Sequence, residues 1–454
     1  MELPAEFAER MQKMLGDDYP AFRTAMEDEQ PVRALRLSRK GKHLASRLID
    51  LYRLTPVPYG QDCYYIGGDF DGKHPYHRAG AFYVQDPGAM SAVAALPETL
   101  GMRVLDMCAA PGGKSTQIAA LIGDDGVLYS NEPVASRCRI LTGNLERLGI
   151  TRSVVMNEMP GTVSALFDRY FDLVLVDAPC SGEGMLRKSE EAQAEWSLQN
   201  VAMCAERQDA ILDSAATTVR GGGYLLYSTC TFSIEENEGA VLRFLERHPD
   251  FTVCELHDSV RRVTERGMMS DADAPTDIQK SARFYPHLAK GEGQYMALLN
   301  RKSEAGYGGT AFQNAVRLPS KDELKVAESF LQDTLSAPLD LSIVALGDTL
   351  TLLPEGIPVP SCHVMWAGVP LGQVTKGRLV PHHAFFSAFG HLCKRKLMLS
   401  ADEARCAAYL HGETVDAEGL SDGFAALLVD GVALGGGKVV GGILKNYYPK
   451  GLRS

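Results

Sequence analysis

Cys180 and Cys230 are the residues whose setting first suggests chemistry. Cys180 closes the turn Asp177-Ala-Pro-Cys180 after an apolar run at 172–177, and Cys230 ends a second run at 223–230, inside Ser228-Thr-Cys-Thr231. A lone cysteine is more often a small buried hydrophobe than a reactive thiol. Two of them at the ends of parallel strands can face one crevice, and a thiolate there is a nucleophile for covalent catalysis. A cysteine hydrolase would also need a histidine partner. No histidine lies between His77 and His248, so that class requires recruitment from a distance.

A second constellation is the loop Asp106-Met-Cys108-Ala109-Ala110-Pro111-Gly112-Gly113-Lys114, between a strand-like run and the helical stretch 115–122. Its glycines let the backbone approach a ligand, and the next helix begins with free N–H groups. A phosphate-binding P-loop is excluded because Cys108 stands where that motif needs glycine. The next strand ends at Glu132, about twenty residues on, where a carboxylate can accept both hydrogen bonds of a ribose diol. Loop and acid together indicate a nucleoside cofactor, and by themselves leave a dinucleotide and S-adenosylmethionine open.

The elements that must position these groups follow from the pattern around them. Runs at 103–107, 126–130, 153–156, 172–177 and 223–230 alternate with helical segments, which predicts a doubly wound parallel sheet with its ligand beyond the carboxyl ends of the strands. Before it, Leu3, Phe7, Met11 and Met14 form one apolar helix face. After it, the mixed stretch 301–320 reads as a boundary, and the runs at 341–346, 349–353 and 363–369 suggest a compact β-rich module. With 454 residues the chain exceeds what one core serves. Four regions are expected: an N-terminal domain at 1–98, the parallel-sheet domain at 99–302, a linker and intermediate domain at 303–371, and a C-terminal module at 372–454, which the family resemblance set out below makes an N-terminal RNA-binding α+β domain, a catalytic domain, a linker region and a PUA-like RNA-binding module.

Composition narrows the classes further. The chain is 45% hydrophobic and 23% charged, as globular proteins are. No window offers the roughly 20 apolar residues of a membrane span, and the ten cysteines include no CxxC pair, so we expect a cytoplasmic monomer with no membrane or metal partner and mostly reduced, buried thiols. The net charge of −11 argues against a generic polyanion binder, but its distribution matters more. Residues 301–454 hold 15 basic and 15 acidic residues, so the excess of acids lies in 1–300. No acid occurs between Glu355 and Asp402 or after Asp430, while Lys376, Arg378, Lys394, Arg395, Lys396, Lys438, Lys445, Tyr447, Tyr448, Lys450 and Arg453 do. Basic residues interleaved with aromatics suit phosphates and unstacked bases; a solvated face with two core tyrosines is the competing explanation.

Taken together, Cys-Ala-Ala-Pro-Gly-Gly-Lys (108–114), Asp-Ala-Pro-Cys (177–180) and Ser-Thr-Cys-Thr (228–231) resemble, in order and context, the motifs of the Nol/Nop/Sun RNA 5-methylcytosine methyltransferases, in their bacterial rRNA branch. Gln85–Met90, Arg283–His287, Leu434–Lys438 and Lys445–Lys450 extend the resemblance over essentially the whole chain. It implies a Rossmann-like S-adenosylmethionine-dependent domain, an N-terminal α+β domain, a PUA-like C-terminal module, and rRNA or a small ribosomal subunit as partner. Position by position it implies that residues 108–114 and Glu132 bind S-adenosylmethionine, with Glu132 on the ribose. Asp177 would lie between cofactor and target base, Cys230 would be the nucleophile, and Cys180 would release the product. Two positions depart from the family. An Asp that holds the adenine is replaced in the stretch Met156–Gly161, where Asn157 is the candidate substitute, and the usual Arg-Val-Asn reads Arg36-Leu-Ser38. The alternatives are a tRNA cytosine or a uridine C5 methyltransferase, or a non-catalytic assembly factor. The intact cysteine pair argues against the last.

Overall fold

The computed structural model describes residues 3–27, 30–188, 190–268 and 276–453. Its centre is a ten-stranded sheet. The strands that matter for function are β1 (Arg103–Asp106), β2 (Val127–Asn131), β3 (Ser153–Met156), β4 (Phe171–Asp177), β5 (Val219–Thr229), β6 (Ala282–Phe284), β7 (Gln294–Arg301) and β8 (Val364–Ala367), in the order β6-β7-β5-β4-β1-β2-β3-β8. The five from β1 to β5 run parallel, as the alternating pattern requires; β6, β7 and β8 are antiparallel additions. Because successive strands move outward from β1 on one side and from β4 on the other, the order reverses between β1 and β4. A crevice opens at such a point beyond the strand ends, where Asp106 and Asp177 sit.

The run at 363–369 departs from expectation. Instead of joining the C-terminal β-rich module, Val364–Ala367 pairs with β3 and covers the open edge of the central sheet. Unpaired edge N–H and C=O groups need partners, and this strand supplies them. The runs at 342–346 and 349–353 do pair with each other, in a four-stranded sheet with Val369–Thr375 and Arg378–Pro381. The border expected at 371/372 therefore falls inside a strand that pairs on both sides of it.

The N-terminal helix Ala5–Leu15 buries Phe7 and Met11 as its spacing predicts. Together with Phe22 of the next helix they pack on Leu186 and Trp196, which follow Cys180 in the chain, and on Phe232, which follows Cys230. The four-stranded N-terminal sheet, containing Ala34–Leu37 and Phe82–Gln85, shares one apolar core with the C-terminal module: Leu35, Tyr52, Tyr76 and Phe82 meet Leu397, Tyr409, Val439 and Tyr448. Tyr76 Oη donates to Asp430 Oδ2 at 2.9 Å across this joint. First and last regions of the chain thus close on each other. The competing explanation holds for Tyr448, which is buried against Tyr409 and His383, whereas Tyr447 stays partly exposed beside Phe424.

Candidate active site

The loop after β1 turns at Gly112, whose φ of 108° favours glycine, and enters the helix Gly113–Leu121. Cys108, Ala109, Ala110, Pro111, Gly113 and Lys114 line a cavity of about 1130 Å³ together with Asp106, Glu132, Asp177, Cys180 and Cys230. Of the residues expected there, Gly112 alone turns away; it serves the helix cap and faces Leu141. All ten cysteines are free, and five of them are fully buried; Cys180 and Cys230 are only half-buried.

Glu132 is buried, its Oε1 accepts the Val134 N–H at 2.9 Å, and Arg137 lies 3.6 Å from its Oε2. Asp106 was legible only as the start of the loop motif, yet it belongs to the site. It is 1% exposed, its Oδ2 accepts Ser115 Oγ at 2.6 Å, and its Oδ1 has no partner among the described residues. Burial, opposed by the Ser115 hydrogen bond and reinforced by Asp177, pushes its carboxyl up to about 7. Asn157 Nδ2 donates to the Glu132 backbone carbonyl at 2.7 Å, which braces the strand end, and Asn157 is not among the residues that line the cavity. Val134, Met159 and Pro160 form the cavity wall there instead.

At the other end, Lys114 Nζ lies 2.8 Å from Asp177 Oδ2, and Ser228 Oγ donates to Asp177 Oδ1 at 2.8 Å. Burial works against the Lys114 ammonium, but Asp177, and after it the Cys230 sulfur, more than offset this and hold it protonated. Cys180 Sγ and Cys230 Sγ are 3.2 Å apart. The Cys180 thiol is held well above its ordinary range, first by its hydrogen bond to Cys230, then by burial and the neighbouring charges.

Arg36, from the position that departs from the family pattern, is buried and does not face solvent. It donates to Gln85 Oε1 at 2.8 Å, to the Gly113 carbonyl at 2.9 Å and to Thr116 Oγ1 at 2.8 Å, tying the N-terminal sheet to the loop. Arg283, in the second of the flanking motifs, pairs with Glu238 and donates to the Phe232 carbonyl at 2.7 Å, which fixes the segment after Cys230. The cavity face of the helix Leu198–Thr218, with Arg207, Ala210, Ile211 and Ser214, carried no sequence signal because nothing in its periodicity marks a ligand wall.

These residues fit S-adenosylmethionine. Glu132 offers a carboxylate for a ribose diol, the unpartnered Asp106 oxygen offers an acceptor for an ammonium group, and a side chain at Gly113 would reach within 3.3 Å of Gln85, so the bare loop leaves room. Fold and site together define a Rossmann-like S-adenosylmethionine-dependent methyltransferase carrying a PUA-type module.

The sequence comparisons agree region by region. The family of 16S rRNA methyltransferase RsmB/F matches residues 93–300, the N-terminal domain of 16S rRNA methyltransferase RsmF matches 3–87, and the methyltransferase RsmF PUA domain matches 396–454. The ribosomal RNA small subunit methyltransferase F of Erwinia tasmaniensis is 30% identical over 473 residues, covering 99% of this chain and 96% of that one. Its namesake in Klebsiella pneumoniae is 32% identical, covering 88% and 85%. A methyltransferase homologue from Pyrococcus horikoshii superposes with a TM-score of 0.57 at 26% identity, over 65% of this chain and 94% of its own. The chain belongs to the ribosomal RNA small subunit methyltransferase F family.

Proposed function

We propose that this protein methylates C5 of cytosine in small-subunit rRNA through a covalent bond from Cys230 Sγ to C6 of the base. The observation that carries the reading is the pair of sulfurs 3.2 Å apart in the cavity that also holds Asp177 and Lys114. Cytosine C5 is too weak a nucleophile to be alkylated directly; thiolate addition at C6 pushes electron density onto it. S-adenosylmethionine, when bound, supplies an electrophilic methyl group.

The residues of the chain divide the remaining work. The Lys114 ammonium favours a negative Cys230 sulfur. Cys180 keeps its proton while Cys230 is free, because the hydrogen bond between them is the largest contribution to its raised pKa. Once Cys230 is bonded to C6 the hydrogen bond between the two sulfurs is lost; Cys180 releases its own proton to water in the cavity and, as thiolate, takes the C5 proton. The C5–H electron pair then re-forms the C5–C6 double bond, and the pair of the C6–S bond returns to Cys230 as thiolate. Asp177, held by Lys114 and Ser228, accepts from the base N4 edge. The base must be unstacked to reach a cavity this deep, which favours rRNA loops over intact duplex.

Incubation of the purified protein with rRNA and labelled S-adenosylmethionine, followed by nucleoside mass spectrometry, tests the reading. Labelled 5-methylcytidine is expected. Label in 5-methyluridine would give the reaction to uridine instead, and an absence of transfer would leave an assembly factor.

A further inference from the structure

The two cysteine loops are joined by a pair of crossed carboxylates that the reaction above does not use. Glu183, three residues past Cys180, reaches the other loop: its Oε2 accepts Thr231 Oγ1 at 2.9 Å and the Phe232 N–H at 2.9 Å, and its Oε1 accepts Trp196 Nε1 at 3.1 Å. Glu236, six residues past Cys230, reaches back: it accepts the Ser181 N–H at 3.0 Å, Ser181 Oγ, and Gln208 Nε2 at 2.8 Å. Ser181 Oγ and Thr231 Oγ1 meet at 2.9 Å between the two acids. A backbone bond from Gly184 N to the Cys230 carbonyl, at 2.8 Å, closes the same joint. A side chain at Gly184 would lie 2.9 Å from that carbonyl, so only glycine permits the approach.

Both acids are buried, at 1% and 0% exposure, and every donor named above is neutral. Buried carboxylates without an ion-pair partner are costly, and burial pushes both of these up from their ordinary values. An apolar contact could hold two loops together at lower cost. Hydrogen bonds differ in being directional: they fix where one loop stands along the other. The residues so fixed are Ser181 and Thr231, the immediate neighbours of Cys180 and Cys230.

We infer that Glu183 and Glu236 are positioning residues, a reciprocal latch that sets the distance between the two sulfurs and so governs release of the RNA from Cys230. The inference rests on the covalent cytosine reading. It requires that loosening the latch impair the step in which both sulfurs act together, proton removal and elimination, more than the steps before it.

The test uses the full-length enzyme with transcribed small-subunit rRNA and S-adenosylmethionine, and reads the steady-state share of enzyme bound covalently to RNA on a denaturing gel. Glu236→Gln turns an acceptor into a donor facing Ser181. Thr231→Val, a milder change should Glu236→Gln fail to fold, removes the hydroxyl that links Ser181 to Glu183. Each is expected to raise the adduct share about three- to ten-fold, the weight of one missing hydrogen bond, with S-adenosylmethionine affinity within about two-fold of the parent. Thr231→Ser should restore the parental share. A purely structural role would lower the melting temperature without enriching adduct. If Cys180→Ala traps RNA but neither latch variant does, the latch is wrong and the covalent reading stands. If Cys180→Ala traps nothing, the covalent reading fails and takes the latch with it.

Discussion

Lys114 and Asp177 form an ion pair of 2.8 Å that joins the loop after β1 to the end of β4, across the point where the strand order reverses. Lys114 is nearly buried while Asp177 is one-third exposed. The pair therefore links the cofactor side of the cavity to the side that holds the cysteines, and it leaves the Asp177 carboxylate accessible from the cavity. A substitution at either partner acts on both halves of the site.

Lys114→Gln removes the charge but keeps a donor. It should lower kcat/KM by about two orders of magnitude, with the larger part in kcat, because the Cys230 sulfur loses a cation that interacts with it across the cavity. The stability cost should be about 1–3 kcal/mol, below that of a fully buried pair because water still reaches Asp177. Urea melts and single-turnover methylation read the two effects separately; an unchanged kcat would remove Lys114 from the activation of Cys230.

The cysteines should separate by step. Cys230→Ala is expected to give neither methylated RNA nor adduct, whereas Cys180→Ala should transfer the methyl group and then accumulate a protein–RNA conjugate that survives denaturing electrophoresis. Trapping by Cys230→Ala instead would reverse the two roles.

Glu132→Ala should weaken S-adenosylmethionine by about 1–3 kcal/mol in calorimetry, the cost of leaving ribose hydroxyls without an acceptor. Tight binding of ATP with no response to S-adenosylmethionine would contradict the cofactor assignment.

Asp106 gives a pH dependence of defined sign. Its folded pKa is raised, from 3.8 to about 7, so the folded state binds the extra proton between those values and loses stability as pH rises through them. Asp106→Asn abolishes that loss while keeping the acceptor for Ser115. The ligand-free variant should be more stable than the parent at pH 8, by something of the order of 2–4 kcal/mol, with the difference vanishing near pH 4. Denaturant titrations across this range check it, and the same variant should bind S-adenosylmethionine less tightly.

RNA docking is better probed by charge than by truncation, since removing residues 372–454 would strip the core shared with the N-terminal sheet. Lys438 and Lys445 are exposed on paired strands of the C-terminal sheet. Reversing both to Glu should weaken rRNA binding and lower the salt slope by about one unit for each phosphate no longer neutralised, leaving S-adenosylmethionine binding intact. An unchanged slope would move the RNA path elsewhere.

Local pattern was enough for the parallel strands β1 to β5, for the loop at 108–114 and for the placement of Cys180 and Cys230 at strand ends, because hydrophobic period and glycine spacing act over a few residues. It also set Phe7 and Met11 on one helix face. Long-range packing decided the rest. Whether Val364–Ala367 would join its own module or the open edge of β3 depended on which backbone groups lacked partners. Whether Tyr448 would face RNA or Tyr409, and whether Asn157 would line the cavity or brace the Glu132 carbonyl, depended on neighbours far away in sequence. The latch of Glu183 and Glu236 is the clearest case. Its acids lie 53 residues apart and become partners of the opposite loops only because β4 and β5 are adjacent in the sheet. A carboxylate's chemistry is written in its residue type, but its role is set by the donors that the fold brings to it.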